Sequence, residues 1–278
     1  DVHTSNATLE SHPAPKDFFS RGCQVKIPFC TNLLTPTCNC AVFELKDHPI
    51  RSLSKDFVQL EGLRKVVLRS GPLKELPRDM ERLNKMTYFD LSFNRLKTFD
   101  VDVEKWDKLI DLRIGFNNIT NVHPNLWRHE TLVNLFANSN VGLQLPNKEG
   151  GMFLPNLFYL NLINNSGLLP NRLGAEELPQ IGSLYLDENE LREVGKLPDG
   201  FNRMNLSLRN LGIARLGLTA LPEMLTAFSV LQYMDARDNN LTNISQTMAD
   251  FIARQQNTVG IELYLSGNNG CSSGSINL

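Results

Sequence analysis

Residues 270–274, Gly-Cys-Ser-Ser-Gly, match the G-x-S-x-G pattern of a serine nucleophile. That pattern needs a strand before the serine and a helix after it, so that a tight turn exposes the hydroxyl. Only residues 275–278 follow, too few for the helix, so hydrolase chemistry is not expected. The five histidines stand apart at 3, 12, 48, 123 and 129, and no H-E-x-x-H pair or phosphate-cradling glycine loop occurs. Cys23, Cys30, Cys38 and Cys40 form the densest group of candidate ligands. Zinc sites place two to four residues between the ligands of each pair and are often completed by histidine; here the gaps are of six, seven and one, and no His lies near. Two disulfides are the expected chemistry, with three pairings left open. Asp187, Glu188 and Glu190, and the neighbours Asp235, Arg237 and Asp238, read as solvated charge, with calcium the alternative for the acidic group. The residue chemistry therefore points to no enzyme, no cofactor and no metal site.

What remains is the machinery that positions side chains, and it is periodic. The run Met86, Phe89, Leu91, Asn94, Leu96 fits the template L-x-x-L-x-L-x-x-N-x-L, which recurs ten times. Its ninth position falls at His48, Gly71, Asn94, Asn117, Asn140, Asn165, Asn189, Leu216, Asn239 and Asn268, with steps of 23 to 29 residues. The fourth and sixth positions are apolar in every copy, from Phe43 and Leu45 to Leu263 and Leu265. Alternation of that kind is strand periodicity, so positions 4 and 6 share one face and positions 3, 5 and 7 the other. One copy cannot bury its apolar face alone; stacked copies join those faces into one core. Asn carries both a donor and an acceptor for the backbone groups the turn leaves inside. Between strands, Met80, Leu83, Met86 and Val103, Trp106, Leu109 have helical spacing and are expected to form short turns with Trp106 in the core.

These words resemble the leucine-rich repeat family over roughly residues 40 to 270. Leu91-Ser-Phe-Asn-Arg-Leu96, Leu186-Asp-Glu-Asn-Glu-Leu191 and Leu265-Ser-Gly-Asn268 are close to its consensus, and Leu76-Pro77 and Leu221-Pro222 supply its L-P step. His48, Gly71 and Leu216 depart from it. The resemblance implies an α/β solenoid, a curved horseshoe with a parallel sheet on its concave face and short helical or extended returns on its convex face. The domain reading is a polar tail at 1–22, a cysteine-rich cap at 23–40, about ten repeats at 41–270 and the start of a C-terminal cap or tail at 271–278. Ile27-Pro28 between cysteines resembles the N-terminal caps of extracellular members.

Composition bounds the partners. A formal net charge of −2 argues against nucleic acid, and no apolar run reaches the length of a membrane helix. Sequons at Asn6, Asn118, Asn164, Asn205, Asn240 and Asn243 fit a secreted or cell-surface glycoprotein. All five tyrosines, Tyr88, Tyr159, Tyr185, Tyr233 and Tyr264, fall at position 3 or 5, on the open sheet face. Phe136 joins Tyr159 and Tyr185 from successive strands, and Arg113, Asp187, Asp235 and Arg237 lie among them. Tyrosine also suits exposed strands for packing reasons alone. Aromatic anchors in a polar rim are nevertheless the usual anatomy of an interface. The expected function is non-enzymatic recognition of a protein or peptide on the concave face, a glycan being the other chemistry that stacked rings hold. The alternative is a structural or adhesive subunit joined through solenoid ends, the N-terminal tail or Cys271.

Overall fold

A computed structural model describes residues 41–147, 151–165, 167, 169–193 and 195–269. The expected disulfides of Cys23, Cys30, Cys38 and Cys40, together with Asn6, Cys271 and the glycine-serine motif, lie outside them. The chain divides into two compact units, Asp1–Leu132 and Val133–Leu278. In the first, strands β1 (Val42–Lys46), β2 (Lys65–Arg69), β3 (Tyr88–Asp90) and β5 (Asp111–Arg113) pair in parallel in that order. A second, two-stranded parallel sheet joins β4 (Thr98–Phe99) to β6 (Asn121–Val122). In the second unit β7 (Asn134–Phe136), β8 (Tyr159–Asn161), β9 (Ser183–Tyr185), β10 (Asn210–Gly212), β11 (Tyr233–Asp235) and β12 (Glu262–Tyr264) pair in parallel in chain order. In these strands, the β4–β6 pair aside, the register aligns template position 3 with position 3, as Tyr88 with Asp111 and Tyr159 with Ser183.

Positions 4 and 6 are buried in every copy through Met234 and Ala236, while Leu263 and Leu265 are half-buried. Trp106 is fully buried and meets Phe89 edge to face at 5.4 Å. The returns include short 3-10 turns at Met80–Arg82 and Val103–Lys105, as the spacing predicts. The last return differs. It is a full α-helix, α1 (Gln246–Thr258), whose Ser245 cap accepts from the Met248 N–H and whose buried side chains are Met248, Phe251, Ile252 and Gln255. The 29-residue step between Asn239 and Asn268 supplies the extra length.

The ninth-position ladder works as the amide chemistry predicts. Asn94 donates from Nδ2 to its own turn at Leu91 O, 2.9 Å, and to the preceding turn at Leu68 O, 2.6 Å; its Oδ1 accepts from Leu73 N–H at 3.2 Å. Asn117 and Asn239 repeat the pattern. The odd rungs are solved in two ways. Leu216 gives its N–H to Asn239 Oδ1 at 3.0 Å. His48 and Gly71 are complementary: a Cβ at Gly71 would lie 2.1 Å from His48 Cε1, so the imidazole of one turn fills the space that the next leaves empty. Just before the ladder, position 8 has positive φ in all ten copies, from Asp47 through Phe93 and Phe116 to Gly267. Only the last is glycine, so nine side chains accept left-handed backbone there.

Candidate functional site

The strand register brings the expected aromatic residues together. In the second unit Phe136 stacks on Tyr159 with centroids 4.6 Å apart, and Tyr159 leans on Tyr185 at 5.5 Å. Tyr233 and Tyr264 form a second pair at 5.4 Å. Four of these five rings are half-buried and Tyr264 is exposed, as befits side chains standing between neighbours on an open sheet. In the first unit Tyr88 lies between two cations, Lys65 Nζ at 5.4 Å and the Arg113 guanidinium at 5.2 Å.

The charges on this face are largely spoken for. Arg113 reaches Asp111 through Nε at 2.7 Å, and Lys65 pairs with Glu44. Arg237 holds Asp235 through Nε and Nη2, the latter at 2.7 Å, and its guanidinium covers the Tyr264 ring at 5.7 Å. Burial works to raise the Asp235 carboxyl, but the Arg237 hydrogen bonds outweigh it and keep it below the ordinary range. Burial pushes the phenols of Tyr88, Tyr185 and Tyr233 up, so they remain neutral donors at physiological pH.

Asp187 is a correction to the sequence reading of a solvated cluster. It is 7% exposed, and its Oδ1 accepts from the Ala214 N–H at 2.8 Å. Burial raises its pKa to about 6, only partly offset by the Ala214 bond, with Asp235 and Glu188 adding to the rise. Among the described residues no group of three His, Cys, Asp or Glu is placed to hold a metal.

Reading only positions 3 and 5 missed a third aromatic feature. Phe93 and Phe116, at position 8 of successive turns, stack at 4.1 Å and 8° while remaining 40% and 44% exposed, and the Arg69 guanidinium covers Phe93 at 4.9 Å. Phenylalanine at two consecutive position-8 sites was the available signal. Among the sequons, Asn118, Asn240 and Asn243 are exposed and Asn164 and Asn205 half-buried.

One parallel strand per turn of 23 to 29 residues, with an asparagine ladder closing each turn, is the leucine-rich repeat fold. Solved structures agree. A leucine-rich repeat protein of Leptospira interrogans is 22% identical with a TM-score of 0.67, over 83% of this chain and 56% of that one. The leucine-rich repeat ectodomain of the Arabidopsis thaliana membrane receptor kinase GASSHO1/SCHENGEN3, in complex with Casparian strip integrity factor 2, is 21% identical with a TM-score of 0.60, over 83% of this chain and 30% of that one. The TLR13–ssRNA13 complex is 21% identical with a TM-score of 0.60, over 82% of this chain and 37% of that one. This chain thus spans little more than half the length of the first and about a third of the others. No family model and no curated protein sequence matches it. Among the described residues no helix is long and apolar enough to cross a membrane.

Proposed function

We propose that this chain is a non-enzymatic extracellular recognition module that binds a protein or peptide ligand on the concave face of its repeats. The observation that carries the reading is the row Phe136, Tyr159 and Tyr185, three adjoining rings on three successive strands. Rings supply large contact area at low entropic cost, and on an open sheet they gain most when a partner completes their burial. The receptor ectodomain of the same fold, solved with its integrity-factor ligand, supports a ligand-binding role for such a module. The fold alone does not choose the ligand class, as the RNA complex shows for its own protein. Protein or peptide is favoured here because three cations of the strands are paired with neighbouring carboxylates, Arg113 with Asp111, Lys65 with Glu44 and Arg237 with Asp235, which reduces the positive charge open to phosphates. The exposed sequons and the cysteine spacing support secretion.

The test is a binding screen of the purified chain against secreted proteins and peptides, with Phe136→Ala and Tyr185→Ala beside it and light scattering on all three. A monomer whose partner is lost in both variants supports the reading. A concentration-dependent oligomer indifferent to both substitutions overturns it in favour of a structural subunit.

A further inference from the structure

Three turns make a local side-chain bond that the turn of Gly212 cannot make for itself. At position 5, Asp90 accepts from the Ser92 N–H at 2.9 Å, Asn161 from Ile163 at 3.1 Å and Asp235 from Arg237 at 3.1 Å, each two residues on. In β10 that position is Gly212, which has no acceptor to offer the Ala214 N–H. Asp187 supplies it from the preceding turn, through Oδ1. Its second oxygen then lies over Gly212: a Cβ built there would sit 2.2 Å from Asp187 Oδ2 and 2.9 Å from Tyr185 Cδ1. Among the described residues no side chain donates to Oδ2 and no cation pairs with Asp187. The facing charges are already engaged, Asp235 with Arg237 and Glu188 with Arg215. Tyr185 and Tyr233 are the other titratable groups that interact with it, and burial keeps both phenols protonated. The backbone bond does not need a charge, since the amide of Asn161 makes the same bond. A nearly buried anion without a counter-ion, two residues past strand β9 and over Gly212 beside the Tyr185 ring, is chemistry left open.

Resting on the concave-face reading, we propose that Asp187 is the counter-ion for an ammonium or guanidinium group of the ligand, received at Gly212 beside Tyr185 and Tyr233. The ligand is then a peptide or protein segment presenting a lysine or arginine side chain. Because Asp187 titrates near 6, its ionised fraction rises about tenfold from pH 5 to pH 7, and cation binding rises with it.

Isotope-labelled protein titrated with N-acetyl-arginine amide, N-acetyl-lysine amide and the neutral N-acetyl-norleucine amide tests this. The expected result is a saturable shift of the Ala214 amide and the Asp187 carboxyl carbon with the two cationic probes only, about tenfold weaker at pH 5 than at pH 7, and lost in Asp187→Asn. That variant keeps an acceptor for Ala214, and its amide spectrum checks the fold. No shift, an equal shift with norleucine amide, or binding that survives Asp187→Asn overturns the proposal. A partner from the screen that is lost in Phe136→Ala but indifferent to Asp187→Asn rejects the counter-ion and leaves the face intact; one indifferent to Phe136→Ala and Tyr185→Ala rejects the face itself.

Discussion

His48 and Gly71 are each irregular, and together they make one filled rung. Adding a methyl at Gly71 drives a Cβ into the imidazole. Gly71→Ala is expected to cost about 1–3 kcal/mol, as overpacking does. His48→Ala should lower the further cost of Gly71→Ala by about 1 kcal/mol or more, because contacting sites are not additive. Urea denaturation of the four proteins measures this, and strictly additive losses would show that the two residues do not share the space. Asp187 makes the opposite kind of prediction. Its folded pKa, about 6, is above the unfolded value of 3.8, so the folded state holds more protons between those values and stability declines as pH rises through that window. Asp187→Asn is therefore expected to stabilise by up to about 3 kcal/mol at pH 7.5 and by little at pH 4. An equal effect at both pH values would remove the desolvated anion from the account. A charge kept at a cost in stability is the pattern of a functional group.

The asparagine rungs set how well one turn holds the next. Asn94→Ala strips partners from the buried Leu68 and Leu91 carbonyls and the Leu73 N–H, and each buried polar group left unpaired costs about 1–3 kcal/mol. The expected loss is about 2–4 kcal/mol. Asn118→Ala, at the exposed position directly after the ladder residue Asn117, should change stability by less than about 0.5 kcal/mol. Comparable losses in the two variants would contradict a ladder that works through burial. At the outer edge of the same turns, Phe93 and Phe116 hold left-handed backbone that asparagine or glycine would accept more easily, at about 1–2 kcal/mol per residue. Their stacking and the Arg69 contact return about as much.

At the scale of the whole chain, acid acts on the two units in opposite directions. His48 and His129 are buried in the first unit, and burial lowers both imidazoles below the ordinary 6.5. The unfolded chain then binds more protons below that value, so stability is full above about pH 6.5 and declines as pH falls through it. Asp187, in the second unit, gains as pH falls through about 6. Amide exchange resolved by residue is expected to show protection in the first unit falling between pH 7 and pH 5 by more than in the second. His48→Asn, which restores the ladder amide, should flatten that difference. A first unit whose protection is unchanged across this range would sink the assignment.

The repeat, the parallel strands, the buried columns and the two aromatic groups were all legible in the sequence, because each follows from local periodicity: a residue's place in a template that repeats every 23 to 29 residues decides which way its side chain points. The final helix was legible too, in Ser245 followed by Met248, Phe251, Ile252 and Gln255, but the short returns elsewhere set a different expectation. What local pattern could not give is anything exchanged between turns. That Gly71 is the socket for His48, that Asp187 serves the turn of Gly212, and that Phe93 meets Phe116 depend on which residues the register sets side by side, more than 20 residues apart in the chain. The sequence determined the fold through spacing; the tertiary structure alone decided where a carboxylate loses its water and which side chains complete one another, since desolvation and contact are properties of neighbours in space.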